Sequence, residues 1–216
     1  MPETTGNKTL LRFNIKNAKY ALKSSNGYSA PVPFGYSDSI ALEADYSEKV
    51  IYGDGKKILT IPNDKGKTGT LGLLTLDEAY EIAMKRRMKT SAGTAEIKQL
   101  ASVEHAIYFE TDYIEDDGEQ KTAKTIIYGV TSGRPSQTYN QTTDDINNNN
   151  TDYPLTIKGV PLKASSGTEP YKDENGNIVY VWQETSIPGD TGYETFGATI
   201  TDPKAPASSS PSSLDL

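Results

Sequence analysis

The chain has no cysteine and a single histidine, His105, in 216 residues. Without thiols there is neither a disulfide framework nor a thiolate metal site. One histidine leaves little acid–base vocabulary near neutral pH. Apolar residues make up only 35% of the sequence, and mean hydropathy is −0.60. That is sparse for a compact monomer, so long polar loops, an unstructured end or surface covered only in an assembly are expected. No apolar run is long enough to span a bilayer, and Met1 to Gly6 carry no apolar signal region. The expectation is a protein made and kept in the cytosol unless an assembly carries it out. Positive charge is also in deficit: 22 Lys and Arg against 29 Asp and Glu give a formal net charge of −7. Such a surface repels phosphate backbones and anionic lipid, which argues against nucleic-acid reading and membrane attachment.

What the chain does have is turn chemistry. Asn26-Gly27, Asp54-Gly55, Asp117-Gly118 and Asn175-Gly176 each lie between stretches rich in β-branched and aromatic residues. These dipeptides tolerate the positive φ of hairpin turns. Strands are expected over Leu10 to Tyr20, Ser39 to Asp45, Lys57 to Ile61, Thr68 to Leu74, Thr94 to Ser102, His105 to Ile114, Thr122 to Val130, Leu155 to Leu162 and Ile178 to Thr185. Asn63-Asp64-Lys65-Gly66 reads as a further turn between two of them. Long polar connections are expected over Tyr46–Lys56 and Tyr139–Tyr153. Residues 1–9 are expected to be loose. Residues 201–216 read as a disordered tail, because Ala205 to Ser213 contain only Ala, Pro and Ser. Between them, residues 10–200 form one expected β domain.

A single helix is expected near residues 76–89. Thr75 followed by Glu78 has the spacing of a capping box. Leu76, Ala79, Tyr80, Ala83, Met84 and Met88 recur at helical spacing, and Leu76, Tyr80, Ala83 and Met84 define the packing stripe. Lys85, Arg86, Arg87 and Lys89 crowd the expected C-terminal end, where positive charge suits the helix dipole. Lys85, Arg86 and Arg87 are expected to face outward or toward a neighbour, with Gly93 beyond as the stop.

Chemical motifs are thin. Gly66-Lys67-Thr68 ends like a phosphate loop, but position 61 is Ile61 where that pattern needs Gly. Asp173 to Asn177 resembles a calcium loop, with its glycine at the fourth place instead of the sixth, so a hairpin is the better account. Glu43/Asp45 and Glu110/Asp112 are carboxylate pairs that each share a strand face. Paired carboxylates serve glycosidases, yet in an acidic chain they also make a solvated sheet face, and no catalytic residue is assigned. No metal or cofactor site is assigned either. Scattered tyrosines suit strands and interfaces as well as sugar binding.

The order of segments is distinctive. Leu11-Arg12-Phe13-Asn14-Ile15-Lys16-Asn17-Ala18-Lys19-Tyr20 opens the chain. Ser39-Ile40-Ala41-Leu42-Glu43 precedes Ile51-Tyr52-Gly53-Asp54-Gly55. Asn63-Asp64-Lys65-Gly66 runs into Thr68-Gly69-Thr70-Leu71, and Asp77-Glu78-Ala79-Tyr80-Glu81 opens the helix. His105-Ala106-Ile107-Tyr108-Phe109-Glu110 and Tyr128-Gly129-Val130-Thr131-Ser132-Gly133-Arg134-Pro135-Ser136 follow. From about Leu10 to about Phe196 this series resembles the major tail proteins, or tail tube proteins, of long-tailed non-contractile bacteriophages of Gram-positive hosts. The resemblance implies an antiparallel β-sandwich or barrel with one flanking helix. It implies hexameric rings stacked into a tube, with strands joined edge to edge between subunits and DNA leaving the virion through the lumen. The implied partners are further copies of the chain and other tail proteins such as the tape measure and tail terminator. The implied location is the virion tail, with assembly in the host cytoplasm. Excess acid suits a conduit that passes DNA without binding it. Glu43 and Asp45, on the polar side of a two-faced strand, are the residues expected to face the lumen. The alternative is a polar β-rich binding module such as a carbohydrate-binding domain.

Overall fold

Alternating strands joined by turn dipeptides produce an antiparallel architecture. The structure, a computed structural model, describes residues 11–25, 27–115, 118–137 and 150–206. The strands are β1 (Leu11–Ser24), β2 (Gly27–Tyr28), β3 (Val32–Pro33), β4 (Ser37–Gly53), β5 (Lys56–Leu73), β6 (Arg87–Thr90), β7 (Gly93–Glu96), β8 (His105–Ile114), β9 (Gln120–Ser132), β10 (Thr151–Ile157), β11 (Val160–Pro161), β12 (Tyr180–Val181) and β13 (Gln183–Ser186). Among the described residues there is one α-helix, α1 (Glu78–Ala83), between β5 and β6. The main sheet runs β2-β1-β8-β9-β10-β5-β4, with β3 added to β1 and β13 to β9. This is the mainly β fold, with one helix, that the sequence implies.

The turns explain the hairpins. Asp54 and Gly55 both have positive φ, 50° and 74°, and close β4 onto β5. Gly27, with φ 113°, closes β1 onto β2; its neighbour Asn26 and the Asp117 of the next turn lie outside the described residues.

Strands β8 and β9 lie at the centre and are buried on both faces, which is why His105 to Phe109 reads as one apolar run. Alternate residues supply two cores. Ile107, Ile127, Tyr20, Leu71 and Tyr153 belong to the first. Ala106, Tyr108, Ile126 and Tyr128 belong to the second, covered by Val160 and Ile200 from the C-terminal segment. At Gly129 the β8–β9 register shifts: His105 pairs with Val130 and Ile107 with Ile127. The Gly129 φ is 63°, and a Cβ there would meet the Gly159 carbonyl oxygen at 2.3 Å, so only glycine lets the two backbones pass. Before this bulge β9 pairs with β13, and after it with β10.

The C-terminal segment corrects the expected tail. Ile200 and Ala205 are buried. Lys163 N donates to Pro203 O at 2.8 Å, Ala205 N donates to Lys163 O at 2.9 Å, and Asp202 pairs with Lys23. Residues 201–206 are therefore packed, and 207–216 lie outside the described residues.

The helix is also corrected, from 76–89 to six residues. Its cap is Asp77, not Thr75: Asp77 Oδ1 accepts from Tyr80 N at 3.0 Å and Oδ2 from Gly35 N at 2.9 Å. It stops because Lys85 takes φ 58°. Lys85 N donates to Ile82 O at 3.0 Å and Arg86 N to Glu81 O at 2.9 Å, the paired closure of a Schellman motif. That motif usually carries glycine at the left-handed position, so lysine hid it. Met88 and Lys89 then belong to β6.

The stripe still meets the sheet. Tyr80 and Met84 are buried in the first core, with Leu76 and Ala83 packed against it. The Tyr80 ring lies 5.0 Å from that of Tyr20, 4.9 Å from Phe34 and 5.2 Å from Tyr153. Arg86, expected outside, is fully buried. Its Nη1 donates to Ser132 O at 3.0 Å and Gly133 O at 2.7 Å, and its Nη2 pairs with Glu81 at 2.7 Å. The reversed turn at Lys85 carries the chain back over the sheet end and aims this guanidinium at carbonyls that the strands leave open.

His105 completes a buried polar chain. Its Nε2 lies 2.9 Å from Tyr80 Oη, which lies 2.8 Å from Ser132 Oγ. Its Nδ1 faces Val103 O at 3.1 Å. A carbonyl only accepts, so Nδ1 carries the proton, Nε2 accepts from Tyr80, and Ser132 donates to Tyr80. Burial drives the imidazole pKa down to about 4, and the nearby Arg86 charge adds to that. Burial likewise raises the Tyr80 phenol.

Candidate assembly surface

Strand β4 ends the sheet path, so its outer edge pairs with no strand among the described residues. At its root, Ile40 and Leu42 pack against the first core. Glu43 falls on the opposite face by strand alternation and is exposed; Asp45 follows it two residues on and is half-exposed. The register breaks there. Ala44 pairs with Lys67 and Tyr46 with Asp64, so Lys65 and Gly66 together oppose Asp45. Gly66 has φ 103°, its N–H donates to Asp64 Oδ1 at 3.0 Å, and the Ile157 backbone runs against it. The expected turn at Asn63-Asp64-Lys65-Gly66 is thus a β-bulge inside one continuous strand.

Beyond the bulge the hairpin leaves the sheet. β5 pairs with β10 only from Lys67 to Leu73, whereas β4 and β5 continue to pair with each other out to Gly53 and Lys56. The connection expected over Tyr46–Lys56 is therefore a two-stranded arm, roughly 25 Å long at about 3.4 Å per residue. The corresponding expectation for Tyr139–Tyr153 falls largely outside the described residues; Thr151 to Tyr153 open β10.

The arm is apolar on both faces. Ile51 pairs with Leu59 and Lys49 with Ile61 on one; Tyr52 and Val50 lie on the other. Tyr52 is 69% exposed and Ile58 68%. An isolated two-stranded ribbon with such a surface is marginal in water. Lys49, Lys56 and Lys57 balance Glu48, Asp54 and Asp64, which leaves the arm neutral on an otherwise acidic chain.

Toward the other end of the sheet path, β1 pairs with β3 only at Lys19 and Tyr20 and with β2 only at Lys23 and Ser24. The edge of β1 from Leu11 to Asn17 is open among the described residues, and Leu11 and Phe13 are exposed. Asn14 and Asn17 take φ 55° and 53° at two bulges. These bulges aim both amides at the second acidic pair. Asp112 accepts from Asn14 at 2.8 Å, Lys16 at 2.6 Å and Thr122 at 2.9 Å. The Lys16 bond, then that of Asn14, holds its carboxyl down at about 2. Glu110 accepts from Asn17 at 2.8 Å and Tyr108 at 2.7 Å. Both carboxylates are thereby held in place by hydrogen bonds. Between β1 and the Pro33–Ser37 segment lies a groove of about 430 Å³ that includes Asn17, Phe34 and the exposed Tyr36.

The calcium-like loop is a hairpin tip, with Asp173 Oδ1 accepting from Asn175 N at 2.9 Å and Asn177 N at 2.7 Å. Among the described residues no cluster of His, Cys, Asp and Glu could hold a metal, and no helix is long and apolar enough to cross a membrane.

No family model and no curated protein sequence matches the chain. Among solved structures, a chain in the six-fold symmetrised cryo-EM structure of the anti-feeding prophage (AFP) baseplate aligns with 72% of this chain and 93% of its own, at 6% identity and a TM-score of 0.36. A chain in the cryo-EM structure of the anti-feeding prophage cap (AFP tube terminating cap) aligns over the same shares, 72% and 93%, at 16% identity and a TM-score of 0.34. Both overlaps are loose.

Proposed function

We propose that the chain is a non-enzymatic structural subunit of a phage virion. In this reading it forms hexameric rings that stack into the tail tube and conduct DNA during ejection. It is assembled in the host cytoplasm alongside other tail proteins, such as the tape measure and tail terminator. The observation that carries the reading is the β4–β5 arm with its exposed Ile51, Tyr52, Ile58, Leu59 and Ile61, beside an unpaired β4 edge. Covering several such side chains is worth on the order of 5 kcal/mol before ordering costs. The two open edges, β4 and the start of β1, lie at opposite ends of the sheet path, although β1 and the root of β4 pack against one core. Joining one to the other between copies is a heterologous contact, the type that closes into rings, and it removes both edges. The segment order resembling tail tube proteins supplies the tube. Glu43 and Asp45 then line the wall, where they repel the DNA backbone without a specific bond.

Sedimentation velocity over a range of concentrations, with negative-stain microscopy of the concentrated sample, tests this. Rings or tubes with a central hole are expected. A chain that stays monomeric at high concentration overturns it. The groove beside Tyr36 favours a second reading as a carbohydrate-binding module. Glycan binding lost in Tyr36→Ala would support that one.

A further inference from the structure

A small polar cavity of about 140 Å³ lies where the β6–β7 hairpin meets the loop after β9. It is lined by Glu81, Arg87, Glu96, Arg134, Pro135 and Gln137. Arg87 and Glu96 are cross-strand partners in that hairpin. Their charges nevertheless do not pair. The Glu96 carboxylate is taken by Arg134, which also donates to Ile97 O. The Glu81 carboxylate is taken by the buried Arg86 at 2.7 Å. Glu78, whose carboxyl is lowered chiefly by its bonds to Lys89 and Thr94 and only last by the Arg87 charge, is bonded to those two groups. Among the described residues, Arg87 has no hydrogen-bonded or ion-paired carboxylate, and its buried Nε–H has no acceptor. A buried donor left unmade is costly, so an acceptor belongs there.

We propose that this cavity is a carboxylate-binding site and that Arg87 is its recognition residue. The charge pairing indicates the valence. Among the described residues, Arg86 pairs with Glu81 and Arg134 with Glu96, which leaves the positive charge of Arg87 without a paired carboxylate. A monoanion balances it, whereas a phosphate dianion would meet the Glu81 and Glu96 carboxylates with excess charge. Arginine's planar fork matches a planar carboxylate. The volume admits a carboxyl group with its first methylenes, and lies well below the roughly 300 Å³ at which drug-sized ligand pockets begin. The ligand is therefore a carboxylate, either a free small acid or an Asp or Glu side chain of a second copy.

Butyrate, a monoanion, is the probe, titrated at constant ionic strength into the ¹⁵N-labelled full chain, with chloride as the control. Saturable shifts of the Glu96 and Gln137 amides are expected with butyrate alone. Arg87→Gln should weaken binding about tenfold or more, and Arg87→Lys, which keeps the charge but loses the fork, by less. Spectra unchanged elsewhere show that the variants are folded. Linear shifts shared with chloride, or binding unaffected in Arg87→Gln, overturn the proposal. Sedimentation of the same samples separates the sources. Self-association weakened both by butyrate and by Arg87→Gln identifies a second copy as the donor. Butyrate binding with self-association unchanged identifies a free acid. Wild-type chain that never self-associates counts against the tube reading alone, because butyrate binding is read independently.

Discussion

Acid should destabilise this protein through one residue before its carboxylates titrate. His105 is fully buried and donates from Nδ1 to a carbonyl while Nε2 accepts from Tyr80. Protonation forces a second N–H against the Tyr80 hydroxyl, next to the Arg86 guanidinium, with its ring centre 5.6 Å from that of Tyr80. Burial holds the folded-state pKa at about 4, against 6.5 for a free imidazole. The unfolded chain therefore binds more protons between those values, and stability must rise with pH across that window and fall as pH drops through it. Integrating the difference gives a loss of about 2 kcal/mol by pH 5 and about 3 kcal/mol by pH 4. That is a large share of an ordinary folding free energy of roughly 5–15 kcal/mol. Approach to the isoelectric point near pH 4.9 relieves self-repulsion and acts in the opposite sense. The assay is urea unfolding at intervals from pH 7.5 to 4.5, for wild type and His105→Gln. The variant is less stable at neutral pH, but the His105 contribution to its pH slope is gone. Subtracting the two curves removes the common charge effect. Parallel curves would refute the argument and show that His105 is accessible to protons in the folded state.

Other outcomes follow from the same geometry. Lys85→Gly relieves a left-handed lysine, which costs about 1–2 kcal/mol, against a gain in unfolded-chain entropy of up to about 1 kcal/mol, so thermal unfolding should show equal or slightly higher stability. Gly129→Ala drives a methyl group into the Gly159 carbonyl at a positive φ and should cost about 3–5 kcal/mol in chemical denaturation. Truncation after Ala198 removes the buried Ile200 and Ala205 and the bonds to Lys163, so it should lower stability by about 3 kcal/mol, where the sequence alone suggested a dispensable tail. Changing Glu43 and Asp45 together to Lys should shift monomer stability by no more than about 0.5 kcal/mol. If tubes form, they should still form with that variant, and DNA passage measured through them should slow.

The strands were legible because their information is local. Alternation over Ser39 to Asp45, the Asp54-Gly55 turn and the apolar run from His105 each report strand or turn without reference to distant residues. The stripe through Tyr80 and Met84 was legible for the same reason. The helix end was not, because Lys85 replaces the usual glycine at a left-handed position. That conformation holds only where Arg86, one residue on, finds Glu81 and the Ser132 and Gly133 carbonyls in the fold. Likewise Asn63-Asp64-Lys65-Gly66 has every local mark of a turn and is held extended by pairing with Tyr46 and Ser47 of β4, with the backbone of Ile157, far along the chain, close against Gly66. Pro203 and Ala205 look like the start of a solvated tail, and they dock because Lys163 offers its backbone groups alongside. That Arg87 has no paired carboxylate among the described residues could not be seen at all in one dimension. Its cross-strand neighbour is an acid, and only the tertiary arrangement hands that acid to Arg134. Local pattern determines which segments become strand, turn or helix, since backbone preference and alternation act over a few residues. Partners for buried charge and for open backbone edges are set by contacts across the whole chain, and those the tertiary structure alone decides.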